Sequence, residues 1–209
     1  MRPHYNISLP QEFNHWLDPW DERFGPYAVN QAAREITVDL EELALHNAWF
    51  VSWLNEHGLD VYYTRVFRSR PNVWYHLHRD VDPTRPDVEL MRRTGQLQNI
   101  YDRVVKINLI FNSQGSQMQW YRERDGQQIQ PRSNSNGYVS MTYEMSQVDV
   151  IYTADCDTHC LINGGEIHTL INTENNGEPR ICYSVFLKRQ DSTDITWHEA
   201  VDLFQPLLK

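Results

Sequence analysis

The chain has 209 residues, 40% of them hydrophobic and 22% charged, with a formal net charge of −9. That size and balance suit one globular domain with a full core, and the acidity argues against a partner with a nucleic-acid backbone. No apolar run approaches the ~20 residues that span a bilayer. The start, Met1-Arg2-Pro3-His4-Tyr5, lacks the apolar stretch of a signal peptide, and three cysteines, an odd number, read as reduced thiols, so the expected location is cytoplasmic.

In chain order, the first sixty residues predict helices. Asp39 followed by Glu42 resembles a capping box, and Leu40, Leu43, Ala44, Ala48, Val51 and Leu54 recur at helical spacing. Gly58 stands where a helix C-terminus favours glycine. A shorter helix is expected over residues 10–17, with Ser8 as its cap and Pro10 in the first turn. From residue 61 the pattern changes to short β-branched and aromatic runs over 61–67, 73–78, 104–111, 118–121, 148–153, 159–163, 168–172 and 181–188. Short strands divided by turn-rich segments argue for a sandwich or jelly roll, not βαβ units. No glycine-rich phosphate loop follows any strand.

Residues 81–99 and 122–147 resist assignment as strands and read as long loops; the second carries Pro131-Arg132-Ser133-Asn134-Ser135-Asn136-Gly137. Thr196-Trp197-His198-Glu199 opens a last helix running to about residue 204. The expected organisation is a helical extension, residues 1–60, packed on a β domain with a C-terminal helix, residues 61–209, as one structural unit. The one basic cluster, Arg65, Arg68, Arg70 and Arg79, reads as a solvated strand edge.

Chemistry concentrates in three separated pieces. His78 and Asp80, two apart on a strand, share a face, and Pro83 then ends the regular strand, leaving the pair at a sheet margin. His168 follows Asn163-Gly164-Gly165-Glu166-Ile167, where two glycines allow a tight turn, and so can return to the same end of a barrel. Two imidazoles and one carboxylate are the donor set of a mononuclear non-haem Fe(II) site that keeps open positions. Arg180 begins an apolar strand; a guanidinium pointing inward there is costly unless paired, and a dicarboxylate supplies a bidentate partner. Ser184 shares the face of Arg180. Each piece also has a plain reading: a surface His beside a turn Asp, a strand His bonded to backbone, a surface Arg flanking a strand. Cys156-x-x-His159-Cys160 is half of a zinc pattern that nothing completes.

His78-x-Asp80, His168 and Arg180, in that order and spacing, resemble the Fe(II)/2-oxoglutarate-dependent oxygenase superfamily, and within it the small prolyl/aspartyl-hydroxylase-like members of phage and bacterial type. Val105-Lys106-Ile107-Asn108-Leu109 and Gly115-Ser116-Gln117-Met118-Gln119-Trp120-Tyr121 are similar to the strand pair after the His-x-Asp motif, and the segment from Cys160 through His168 to Asn172 to the one carrying the distal histidine. The likeness covers roughly residues 61–188. It implies a mainly β double-stranded β-helix (jelly roll) with flanking helices and Fe(II) held by His78, Asp80 and His168. It further implies 2-oxoglutarate as co-substrate, its C5 carboxylate on Arg180 with Ser184, and Asn108 nearby. The implied reaction couples dioxygen and oxidative decarboxylation, giving succinate and CO2, to hydroxylation of a C–H bond in a small-molecule or peptide substrate.

His76-Leu77-His78 also permits a cupin-like site, although position 82 is Asp and the glycines of that pattern are missing; His76 otherwise reads as a neighbour of the ligands. A β-sandwich that binds a metal or ligand without turnover is the rival of another class. Substrate contacts are expected from the two long loops, with Trp120 or Tyr121 near their base.

Overall fold

The computed structural model describes residues 1–27, 32–80, 98–124, 132–133, 139–174 and 179–209. The first half runs β1 (His4–Asn6), β2 (Ala33–Val38), α1 (Leu40–Glu56), β3 (Leu59–Ser69), β4 (Val73–Trp74), β5 (Leu77–Arg79) and α2 (Gln98–Tyr101). The second continues with β6 (Val105–Phe111), β7 (Gln114–Glu123), β8 (Arg132–Ser133), β9 (Val139–Tyr143), β10 (Val148–Asp155), β11 (Cys160–Asn163), β12 (Ile167–Glu174), β13 (Arg180–Arg189) and α3 (Trp197–Phe204).

The strands form two antiparallel sheets. One has the order β1-β11-β6-β13-β3-β2; the other runs β10-β7-β12-β5-β9-β8, with β4 also paired to β12. Paired strands are mostly far apart in sequence, and the chain from β10 to β13 crosses from one sheet to the other at each step, as in a double-stranded β-helix. Each of the eight runs read from the sequence contains a strand, the run over 73–78 being split into β4 and β5.

Strand β13 shows why the site lies where it does. Its first eight residues are buried on both faces, so it is a central strand flanked by β3 and β6. Ile181, Tyr183, Val185 and Leu187 face outward and pack with Phe50, Trp53, Leu54, Trp197 and Phe204 of the helices. Cys182, on the alternate face, packs with Met118, Trp120 and Leu170 of the opposite sheet. The even-numbered residues therefore face the interior between the sheets.

Helix α1 starts as expected: the Asp39 carboxylate accepts from the Glu42 amide at 2.8 Å. It ends at Gly58, whose φ of +72° favours glycine. Helix α3 opens with the Thr196/Glu199 capping box. Residues 10–17 are not helical. The Asn14 amide donates to Asn47 Oδ1 at 2.7 Å, the Asn14 carbonyl accepts from Asn47 Nδ2 at 3.1 Å, and the Leu17 amide donates to the Tyr183 hydroxyl at 3.0 Å. With backbone groups held by distant side chains, the segment stays extended and inserts Phe13 against Phe50 and Tyr183, ring centroids 5.4 and 5.3 Å away.

Two further differences are topological. β1 and β2 lie in the stretch read as helical, and β8 and β9 in the stretch read as a loop. The basic cluster is no solvated edge: Arg68 and Arg79 are buried, and Arg68 donates to the carbonyls of Pro19 and Gly25 at 3.0 and 2.7 Å.

Candidate metal centre and its cavity

His78, Asp80 and His168 come together, with one ligand atom from each lying within 4.8 Å of the others. Sheet register does the first part of this. His78 of β5 stands directly opposite His168 of β12, ring centroids 4.5 Å apart. Asp80 follows β5, and its amide donates to the Gly164 carbonyl at 2.8 Å. A Cβ on Gly164 would lie 2.9 Å from Asp80 Oδ2, and one on Gly165 would collide with the Tyr101 carbonyl. The double glycine therefore serves close approach. Positive φ among the described glycines is confined to Gly25, Gly58 and Gly115.

Arg79, between the two ligands, faces the other way and fixes the segment. It donates to the Tyr143 hydroxyl and the Gly165 carbonyl, each at 2.7 Å, pairs with Glu123 at 3.1 Å and stacks over Tyr101.

The donors suit a cation. His78 Nδ1 lies 2.7 Å from the His76 carbonyl and His168 Nδ1 lies 2.8 Å from the Glu166 carbonyl. Carbonyls only accept, so each Nδ1 carries the proton and each Nε2 turns toward Asp80, at 3.5 Å for His78 and 3.3 Å for His168. Burial lowers the His168 pKa, with the neighbouring His78 acting in the same sense. Burial opposes ionisation of Asp80, yet the Lys106 ammonium, ahead of the two neighbouring imidazoles, holds its carboxyl well below the usual range. Two imidazole Nε2 atoms and an ionised carboxylate converging on one point form a donor set that fits a divalent first-row ion.

These residues line a cavity of about 470 Å³, its open mouth included, together with Arg180, Ser184, Asn108 and Lys106. Arg180 is 2% exposed, and its Nε has no hydrogen-bond partner. Its Nη2 lies 3.7 Å from Cys156 Sγ, and no carboxylate pairs with it among the described residues. Cys156 is drawn down to about 7 by a hydrogen bond from Cys160 and by the Arg180 charge beside it. Ser184 donates to Asn108 Oδ1 at 2.9 Å, directly across the β13–β6 pairing.

The described residues complete no zinc site around Cys156, His159 and Cys160, and all three cysteines are free. His76 is exposed and outside the donor cluster, so its part is the carbonyl that orients His78 rather than a cupin-like ligand. Trp120 and Tyr121 are buried at 0% and 1% and do not line the cavity, so neither offers the expected substrate contact there. Most of the two long loops lies outside the described residues. Sequence reasoning missed Lys106 as a site residue; the signal was a lysine amid the apolar Val105, Ile107 and Leu109, on the same strand face as Asn108.

No family model and no curated protein matches the chain. It is similar to a Pseudomonas putida prolyl-4-hydroxylase, at 11% identity over 76% of this chain and 72% of that one, with TM-score 0.38. An oxidoreductase of the 2OG-Fe(II) oxygenase family from Burkholderia pseudomallei matches at 11% over 78% and 69%, with TM-score 0.37. E. coli ycfD matches at 8% over 90% of this chain but 42% of that one, with TM-score 0.40. Likenesses this weak carry no argument; the fold rests on its own sheet topology, and the site on its own geometry.

Proposed function

We propose that the protein is an Fe(II)- and 2-oxoglutarate-dependent dioxygenase that hydroxylates a small-molecule or peptide substrate and releases succinate and CO2. One observation carries the reading: two imidazole Nε2 atoms and a carboxylate converge on the wall of a cavity that also holds a buried guanidinium with no carboxylate partner among the described residues. His78 and His168 would hold iron through Nε2, and Asp80 through a carboxylate oxygen. Bound there, Fe(II) supplies dioxygen activation and the oxidative decarboxylation of the co-substrate.

The chain's own residues bind and orient. Arg180 takes the C5 carboxylate of 2-oxoglutarate as a bidentate pair, satisfying its orphaned nitrogen. Ser184 and Asn108, bonded to each other, offer polar contacts along the co-substrate. Phe67, Met118, Leu170 and Cys182 line the same cavity and exclude water, which strengthens every charge pair inside it. The uncrosslinked cysteines support a cytoplasmic location, and no described helix is long and apolar enough to cross a membrane. Residues 1–60 and 61–209 are read as one structural unit, supported by the pairing of β2 with β3.

A second reading, a metal- or ligand-binding protein without turnover, draws on Lys106, whose ammonium pairs with Asp80. The deciding experiment incubates the protein with Fe(II), ascorbate and 2-oxoglutarate in air and measures succinate. Fe(II)-dependent succinate, lost in His168→Ala, supports the oxygenase. No succinate, with one Mn(II) still bound per chain, selects the second reading.

A further inference from the structure

We propose that the substrate taken at this centre carries a carboxylate, bound by Lys106, with its apolar part seated on Tyr63 and Phe186. This inference rests on the oxygenase reading and names the substrate class for it. Lys106 is 5% exposed near the start of β6, where an uncompensated ammonium is costly. Among the described residues its carboxylate partner is Asp80, and its Nζ lies 5.2 Å from the Phe186 ring centroid. Asp80 is also the carboxylate that would ligate the metal. A dication sharing that carboxylate leaves Lys106 as a second cation at close quarters, its attraction to Asp80 partly cancelled. With 2-oxoglutarate on Arg180, Lys106 keeps a charge that Asp80, shared with the metal, only partly offsets, and a substrate carboxylate pairs with it.

Position separates Lys106 from the co-substrate. Its register partner is Phe186, whereas Arg180 starts the same strand, about 20 Å away along the backbone at ~3.4 Å per residue. A five-carbon diacid held between the metal and Arg180 occupies the Arg180 side of the cavity. A second cavity of about 390 Å³, its mouth included, shares Asp80 with the first and is lined by Tyr62, Tyr63, Phe186 and Leu187, with Arg103 and Asp194 as its other charged members. The Tyr63 and Phe186 rings stack there at 4.1 Å between centroids and 21° between planes. A buried cation beside an aromatic floor, both next to the metal ligand Asp80, recognises an apolar carboxylate.

The test uses the full chain loaded with Mn(II) and the inert co-substrate analogue N-oxalylglycine. Probes are N-acetyl-L-amino acids as free carboxylates and the same compounds as primary amides, and binding is read from paramagnetic broadening of their proton resonances. At least one acid is expected to bind ten-fold or more tightly than its amide, and Lys106→Met is expected to remove that preference. 2-Oxoglutarate affinity, measured by calorimetry on the Mn(II) protein, should change less than three-fold in Lys106→Met. Equal binding of acid and amide, or no binding of any acid, overturns the inference on the parent protein alone, whatever the variant's folding. A ten-fold loss of 2-oxoglutarate affinity in Lys106→Met, with the acid preference intact, assigns Lys106 to the co-substrate and also overturns it. A parent that binds neither Mn(II) nor 2-oxoglutarate refutes the oxygenase reading itself, and this inference falls with it.

Discussion

Replacing Arg180 with methionine should weaken 2-oxoglutarate binding and, in the absence of ligand, leave the protein as stable as before or more so. The opposite signs follow from one feature. Arg180 is 2% exposed, its Nε is unpartnered, and its hydrogen-bonded neighbour is the sulfur of Cys156. The ligand-free protein therefore already bears a desolvated charge, and an apolar side chain of similar volume removes that cost; such replacements are neutral or stabilising by about 1–4 kcal/mol. The bound state loses a charge-assisted fork. Truncating one partner of a buried pair costs about 2–5 kcal/mol, or roughly 30-fold to several thousand-fold in Kd. The burial of Arg180 places the expectation in the upper half of that range. Arg180→Lys should recover only part, because an ammonium lacks the fork geometry. Calorimetry on the Mn(II)-loaded proteins gives Kd, and thermal unfolding with and without 2-oxoglutarate gives the stability change. At 100 times Kd a ligand stabilises by about 2.7 kcal/mol, a shift the parent should show and Arg180→Met should lack. A methionine variant that binds 2-oxoglutarate within three-fold of the parent would refute the assignment.

Fe(II) or Mn(II) should bind at about one ion per chain, and His168→Ala should weaken it at least 100-fold, since three side chains offer little redundancy; unchanged affinity by calorimetry removes His168 from the site. The metal-free protein should gain stability as pH rises from about 4 to about 6.5. Burial lowers His168 below its usual value, and lowers His4, to about 4, His15 and His159 in the same way. In that window the unfolded chain binds more protons than the folded one, so the slope is positive. Asp80, held low, adds a further loss only as pH falls below the ordinary carboxylate range. Urea unfolding across pH 4 to 8 checks this; stability that declines between pH 5 and 6.5 contradicts it. Gly165→Ala should abolish metal binding without touching a ligand. Its Cβ would meet the Tyr101 carbonyl, and the displaced turn carries the carbonyl that accepts from Asp80 and the one that accepts from Arg79. A Gly165→Ala protein that binds Mn(II) like the parent would show that the turn tolerates displacement.

Legibility in the sequence follows the range of the interactions involved. Strand alternation is local, so each expected run from 61–67 to 181–188 contains a strand, and residue parity alone puts Arg180 and Ser184 on one face of β13. The triad is legible because two of its members sit two apart and the third follows a double glycine. Long-range contacts are not legible. Residues 10–17 read as a helix by capping and spacing, but the Asn47 amide and the Tyr183 hydroxyl take their backbone groups from positions far along the chain. β2 escapes notice because Arg34, Glu35 and Thr37 dilute its apolar signal at a sheet edge. Gly164 and Gly165 stand in the expected place for a different reason: the turn needs their missing side chains, not their backbone freedom.

Charge makes the same point about range. With a net charge of −9 the chain should repel anions at a distance, yet the buried charges lining its central cavity are Lys106 and Arg180 against Asp80 alone among the described residues. At physiological salt, exposed charges are screened beyond ~8 Å, while buried pairs are screened far less. The interior can therefore select anions that the surface disfavours. On the proposed reading, association would be slowed by the acidic exterior and eased by added salt, and release would be governed by the two buried cations. Overall composition says nothing about the charges that line the cavity.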